Sequence, residues 1–415
     1  MVLKALPLVF VLSGVVLYTV LAGADFGAGF WQLFAGGGER SEQIREHAHR
    51  SMSPVWEANH VWLIFVLTVF WTGYPRAFGS IASTLAVPLF IAAIGIIFRG
   101  AAYALRAGAS SLRESGAIDM IFSLSSILVP FALGTAIGGI ATDRVPVGNA
   151  LGHFFSSWLN PTSILIGVLA VVSSAYLAAV YLAADAAHMG DKSLEREFRY
   201  RALGAGVVAG AVAIGGLFVV KADYPPLFHS LLSGGALAAV VISALAGLAT
   251  LALVYVRRFE TARYTAAAAV AAVIAGWAVA RWPTILPGLT VYRAAAGHDT
   301  LVWIVVAVLG GGAILFPSLA LLFRLTLTGR FQAQEEPEGQ LETRGALGVR
   351  PRVLTRLAVA FLIAGVGLLN IADASWAHAV GVISFAGFIV AGFLAVASDG
   401  LRSEETAPSG GPSAG

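Results

Sequence analysis

The stretch that decides the fold runs from Pro7 to Phe34: PLVFVLSGVVLYTVLAGADFGAGFWQLF. Its single charged side chain is Asp25. A transmembrane helix needs about 20 largely apolar residues, and this run supplies them. A secretory leader would also carry a basic residue such as Lys4 and a small-residue cleavage site such as Ala22-Gly23-Ala24. Here the apolar residues continue through Phe30, Trp31 and Phe34, so the run reads as a retained span. Working outward, comparable runs lie near 55–74, 77–98, 117–141, 162–187, 203–221, 235–256, 265–282, 300–325, 355–372 and 375–397. The expected count is about eleven spans, or nine plus a C-terminal hairpin, which amounts to the same layout. The whole chain is 58% hydrophobic and 12% charged. Soluble globular domains run near 45–50% apolar and about 25% charged, so a soluble globule and a disordered chain are both excluded.

Other classes drop out as quickly. With no cysteine, a disulfide framework, thiolate zinc or iron–sulfur ligation and c-type haem attachment are ruled out. A formal charge of +3 is too small to point to nucleic acid as a partner. No Gly-rich phosphate loop of the G-x-x-x-x-G-K-[ST] kind occurs.

What matters in a membrane chain is where the basic residues fall. If the loops alternate sides, one side receives only Lys4, Arg76, Arg144, Lys221, Arg281 and Arg293 of the 26 Lys and Arg residues. The bias predicts the N-terminus outside and the C-terminus cytoplasmic. Residues 327–353 read as a polar cytoplasmic loop, and 401–415, rich in Ser, Gly and Pro, as a disordered tail. That leaves a membrane domain over 1–326 and an extra transmembrane hairpin over 354–400.

Ionisable groups inside a span cost about 2.5–3.5 kcal/mol on insertion scales, so each calls for a reason. Asp25 lies among Gly23, Gly27 and Gly29, small residues that let another helix approach closely. It reads either as a carboxylate hydrogen-bonded across a helix interface or as a proton-carrying or cofactor-facing group. The second cluster is SMSPVWEANHVW, Ser51 to Trp62. Ser53 before Pro54 suits an N-cap followed by Pro at the first helical position. Glu57 then falls near the positive end of the helix dipole. Trp56, Glu57, Asn59, His60 and Trp62 crowd polar and aromatic groups onto the entrance of one span, which fits a proton entry or a partner contact as well as a plain helix start. Arg99, at the end of the third span, has three available partners: Glu57, Asp25 or lipid phosphates.

Glu57 and His60 have the i, i+3 spacing of di-iron bundles, and Glu46/His49 and Asp185/His188 repeat it loosely. One of those extra pairs falls in a loop and the other at a span end, so no metal site is expected. Trp158-Leu159-Asn160-Pro161-Thr162 and Trp282-Pro283-Thr284-Ile285-Leu286-Pro287 read as interfacial turns.

At these motifs the chain resembles subunit II of the cytochrome bd-type quinol oxidases. The match runs in order through AlaAspPheGlyAlaGly at 24–29, ProValTrpGluAlaAsnHisValTrpLeu at 54–63, TyrPro at 74–75, PheArgGly at 98–100, Phe154-Phe155 with LeuAsnPro at 159–161, and TrpProThrIleLeuPro at 282–287. It covers roughly residues 1–330. The resemblance implies an all-α polytopic membrane protein of two four-helix bundles plus additional spans, in a bacterial or archaeal plasma membrane. It implies a haem-free subunit that stacks on a subunit I carrying haems b558, b595 and d and the quinol site, in a complex that oxidises quinol and reduces dioxygen to water. It further implies a proposed proton route, and in some members a structural quinone. Carried over, Glu57 and Asp25, with Asn59 and His60, are the candidates for the proton route, and Trp56, Trp62 and Arg99 for the subunit interface or oxygen path.

Three departures stand out. Position 57 is Glu where Asp is common, residues 181–192 do not follow the usual end of the fifth span so nothing is carried over there, and the polar loop with two extra spans is additional; within the match itself, TyrPro at 74–75 replaces a PhePro-type entry. The extra hairpin is expected on the outside of the complex, where relatives seat a small accessory subunit. The competing reading is a transporter or channel lined by buried acids, which predicts paired Gly/Pro interruptions near mid-membrane. Pro88, Pro130 and Pro317 do not form such pairs.

Overall fold

The computed structural model describes residues 1–52, 56–106, 112–327, 351–371, 376–377, 380–385, 387–388 and 390–391. These divide into two units, Met1–Leu321 and Leu322–Gly415. The first is a helical bundle: α1 (Val2–Leu33), α2 (Glu39–Met52), α3 (Trp56–Gly73), α4 (Pro75–Thr84), α5 (Ala86–Arg106), α6 (Leu112–Ala141), α7 (Pro161–His188), α8 (Lys192–Asp223), α9 (Pro225–Leu231), α10 (Gly234–Tyr255), α11 (Phe259–Arg281), α12 (Val291–Ala294) and most of α13 (His298–Leu327). Between α11 and α12 a small antiparallel hairpin pairs β1 (Thr284–Leu286) with β2 (Leu289–Thr290) around Gly288, whose φ is +71°. The second unit contains α14 (Pro351–Ile371).

Among the described residues eight helices are long and apolar enough to cross a membrane, and Ala58–Gly73 and Arg356–Leu368 are shorter apolar helices. The protein is thus helical and polytopic. The expected eleventh span, 375–397, falls in part outside the described residues. At about 1.5 Å per residue, α8 is close to 48 Å long, well beyond the roughly 30 Å hydrocarbon layer. Its first turns, KSLEREFRYR, are accordingly polar.

Two expectations need correction. The third span, read as 77–98, is broken at Leu85 into α4 and α5. The apolar run is continuous across the break, so hydropathy alone hides it. The helix also continues past residue 98 to Arg106, so Arg99 lies two turns before its end and is buried. Glu46 and His49, assigned to a loop, lie on α2 instead. Ile44 and Ala48 of that helix are buried, and the His47 ring lies 3.0 Å from the Leu182 carbonyl.

α1 packs on α3, α6 and α7, and α5 packs on α6. α7 packs on α6, α8 and α11, while α10 packs on α8 and α11. Glycine permits the closest of these approaches. A Cβ on Gly27 would lie 1.9 Å from the Ser174 carbonyl oxygen of α7, and one on Gly138 would lie 2.3 Å from Ser163 Cα. In lipid such close packing is the main source of helix association. α7 starts as the sequence suggests: Asn160 is the N-cap, accepting from Ser163 N at 2.9 Å, with Pro161 at the first helical position.

Pro7 lies inside α1, where its ring obstructs regular helix geometry. The same turn is held by Tyr74, which is fully buried. Its hydroxyl accepts from Leu8 N at 3.0 Å and donates to Lys4 O at 2.7 Å, bridging the two groups that an unbroken helix would join directly. A Phe at 74 lacks that bridge.

Two ion pairs clamp the end of the bundle that carries the β hairpin. Asp223, closing α8, accepts from Arg144 at 2.8 and 2.9 Å and from the Thr162 hydroxyl at 2.6 Å. Asp143 accepts from Arg281 Nη1 at 2.9 Å and from the Tyr224 hydroxyl. Burial works to raise the Asp143 carboxyl. The Arg281 and Tyr224 hydrogen bonds and the Arg281 charge outweigh it and hold the group below its ordinary value of 3.8.

In the second unit, two glycines lie against aromatic rings. A Cβ on Gly365 would lie 3.0 Å from Phe385, and one on Gly387 would lie 3.1 Å from Phe361.

Candidate functional site

The site grows from α1. Asp25 is 0% exposed and Arg99, from α5, is 2% exposed. Arg99 donates through Nη1 to Asp25 Oδ2 and through Nη2 to Asp25 Oδ1, each at 2.9 Å. Nη2 also reaches the Asp25 carbonyl at 3.1 Å, and Nε donates to Ser126 Oγ of α6 at 3.0 Å. Ser126 in turn donates to the Phe122 carbonyl at 2.7 Å. The guanidinium lies 4.9 Å from the Phe26 ring centroid and 4.5 Å from that of Phe122. A planar fork of donors suits this bidentate, ring-flanked geometry in a way an ammonium does not. Gly29 makes room: a Cβ there would sit 2.1 Å from Ser126 Oγ.

Of the three partners open to Arg99, the fold selects Asp25. The reason is placement: α5 and α6 pack together and α1 packs on α6. The carboxylate and the guanidinium neutralise one another inside the bundle, which is the condition for burying either.

Beside the pair lies α3. Asn59, 7% exposed, donates to the Leu21 carbonyl at 3.4 Å. The His60 ring packs edge-on to Tyr18 at 6.0 Å and to Phe26 at 5.9 Å between centroids. Trp62 packs against the cluster of Tyr18, Phe26 and Ala92 and lies 6.1 Å from the Phe65 ring. Thus Asn59, His60 and Trp62 of α3 join Asp25 and Arg99 around one stretch of α1. Trp56 and Glu57 open α3, but their side chains lie outside the described residues, as do Ser53 and Pro54.

The sequence reading did not single out Tyr18, Phe26 or Phe122. The last two are visible in hindsight as aromatics next to, or one turn from, the charged and hydroxyl residues they shield. Asp185 and His188 do not approach this site. Asp185 pairs with Arg263 and His188 with Glu260 at 3.2 Å, at the far ends of α7 and α11. Among the described residues no group of three or more His, Cys, Asp or Glu side chains is placed to hold a metal ion.

Fold and site together define a polytopic helical membrane protein built around a buried acid–guanidinium pair. The chain belongs to the cytochrome bd terminal oxidase subunit II family, whose model matches residues 3–326. It is 28% identical over 152 residues to the cytochrome bd ubiquinol oxidase subunit 2 of Bacillus subtilis (strain 168), a match covering 36% of this chain and 43% of that one. It is 28% identical over 180 residues to the cytochrome bd-I ubiquinol oxidase subunit 2 of Escherichia coli (strain K12), covering 41% and 46%. The matched regions thus span less than half the length of these curated relatives. A chain of the solved bd oxidase from Geobacillus thermodenitrificans shares the fold, with a TM-score of 0.66 and 23% identity over 79% of this chain and 99% of that one. The transporter reading is not favoured by these likenesses.

Proposed function

We propose that this chain is the subunit II of a quinol:oxygen oxidoreductase, assembled with a haem-bearing subunit I in a cell membrane. The observation that carries the reading is the family match across residues 3–326, which includes every residue of the buried pair and its α3 neighbours. The haems b558, b595 and d then belong to subunit I. The histidines inside this chain's helical core do not fit haem ligation. His60 Nε2 is sealed from the surface and its ring is wedged between Tyr18 and Phe26. The His47 ring is committed to the Leu182 carbonyl. No redox step is therefore assigned to this chain.

Within that role, Asp25 and Arg99 act as a lock between α1, α5 and α6. Protonating Asp25 would leave the buried guanidinium without its counter-charge, so the pair suits structure better than proton relay. The proton route then falls to Glu57, with Asn59 and His60 behind it. Trp56 and Trp62 belong to the face toward the partner or the oxygen path. The two packed groups, α1/α3/α5/α6 and α7/α8/α10/α11, are the two four-helix bundles of this reading. The hairpin over 354–400 takes the place of a small accessory subunit, with lipid and a structural quinone as further neighbours. The surplus of basic residues puts α2 and the C-terminus in the cytoplasm.

The test is purification of the tagged chain from its native membrane with a reduced-minus-oxidised spectrum. Haem bands with a co-purifying membrane partner support the reading, and a colourless preparation with no partner refutes it. In the assembled complex, Glu57→Gln is expected to lower quinol oxidase turnover by more than tenfold with the haem spectrum intact, the scale of a lost proton-transfer group. Unchanged turnover would remove Glu57 from the route.

A further inference from the structure

Two buried polar side chains of α1 take no part in the lock. Gln32 is 3% exposed, and neither its amide nitrogen nor its amide oxygen has a hydrogen-bond partner. The Tyr18 hydroxyl, on a residue 8% exposed, also lacks one. An unpaired buried amide or hydroxyl is unfavourable, and native proteins satisfy such groups with ordered water that makes about three hydrogen bonds.

Their placement is regular. Residues 18, 25 and 32 are seven apart, so they lie within about 40° of one another around the helix and about 10 Å apart along it. α6 runs antiparallel to α1: Tyr18, Ala22 and Phe26 cluster with Val129 and Ala132, while Gly29, further along α1, lies against Ser126 and Phe122. Ser123, 3% exposed, therefore lies on the Gln32 side of the lock.

We propose that Gln32 holds an internal water cluster, with Ser123 as a second ligand, that hydrates the Asp25–Arg99 pair from the α2 end of the bundle. Tyr18 marks the matching position on the other side. About three waters at hydrogen-bond spacing span an axial rise of about 10 Å, the separation of residues 25 and 32 along the helix. The chemistry selects water over other ligands. The amide is neutral and offers donors and an acceptor, the neighbouring pair is neutral as a whole, and a side chain this deeply buried offers no opening to a lipid or a quinone ring. The proposal concerns hydration of this chain and stands whether or not the oxidase reading does.

Radiolytic labelling of the purified protein, in whatever complex it is isolated, in water enriched in heavy oxygen tests it. Radicals born from bound water oxidise the side chains beside it. Phe122 and Tyr18 are expected to take up label despite their burial, while Leu177, buried in an apolar cluster, stays unlabelled. Gln32→Leu is expected to lower labelling at Phe122 about fivefold, which corresponds to about 1 kcal/mol in water occupancy. Gln32→Met, closer in length, gives the same reading should the Leu variant fail to assemble. Wild-type labelling at Phe122 no greater than at Leu177 would overturn the proposal. So would undiminished labelling in the Gln32 variants.

Discussion

Replacing Arg99 with Met tests the lock most directly. The substitution keeps an unbranched side chain of similar reach and removes every donor. Four hydrogen bonds disappear: two to the Asp25 carboxylate at 2.9 Å, one to its carbonyl at 3.1 Å and one to Ser126 at 3.0 Å. Ser126 keeps its own bond to the Phe122 carbonyl, so the loss concentrates on the carboxylate. Asp25 is then a fully buried, uncompensated charge, and breaking a buried pair from one side costs about 3–5 kcal/mol. The reverse variant, Asp25→Leu, strands the guanidinium and is expected to cost about the same. The double variant removes both charges and fills the space with apolar atoms, a replacement that is often neutral. It should therefore be more stable than either single variant. Reversible unfolding in mixed detergent micelles, read by tryptophan fluorescence, supplies the three free energies of the cycle. A double variant whose loss equals the sum of the single losses would refute the reasoning, because the residues would then act independently.

Two further outcomes follow from the fold. Tyr74→Phe removes the hydroxyl that bridges Leu8 N and Lys4 O. It is expected to destabilise the protein by about 1–3 kcal/mol in the same unfolding assay, the cost of leaving buried backbone groups unpaired; no change would mean the turn at Pro7 closes without help. The Asp143–Arg281 pair sets an acid limit. The folded carboxyl is held below its ordinary 3.8, so its contribution is complete above that pH and is lost as pH falls below it through the depressed value. Thermal melts between pH 7 and 3 should show Asp143→Asn less stable than wild type at neutral pH, with the gap closing only below about pH 4. A gap that closes between pH 7 and 5 contradicts the assignment.

Much of the bundle was legible before any coordinates. Hydropathy places a helix wherever about 20 apolar residues run together, and α1, α6, α7, α10 and α11 lie where the runs do. The turn chemistry of Asn160-Pro161 marks the start of α7 correctly because N-caps act locally. What escaped is what hydropathy does not encode. The break at Leu85 leaves no polar trace, and α2 is too polar overall to register, since its buried residues, Ser41, Ile44, His47 and Ala48, are scattered among exposed charged ones. The β hairpin at 284–290 reads simply as a turn because two short strands carry too few residues for a period to show.

The lock itself was half legible, and the missing half was the rotation of α1. Composition marks Asp25 as buried and Arg99 as a cation nearby, but an apolar run shows that a helix is inserted, not which way it faces. The glycines hold that information. Gly27 and Gly29 lie about 160° apart around the helix at 100° per residue, and each admits a different neighbour: α7 at Gly27, α6 at Gly29. Two close contacts on nearly opposite sides leave α1 a single orientation between them. Asp25 lies about 40° from Gly29, so the carboxylate must point along the α6 side, where α5 delivers Arg99. The small residues that let the helices approach are thus also what aims the acid at its partner. Enlarging Gly29 would turn the carboxylate away from the guanidinium without touching either charge.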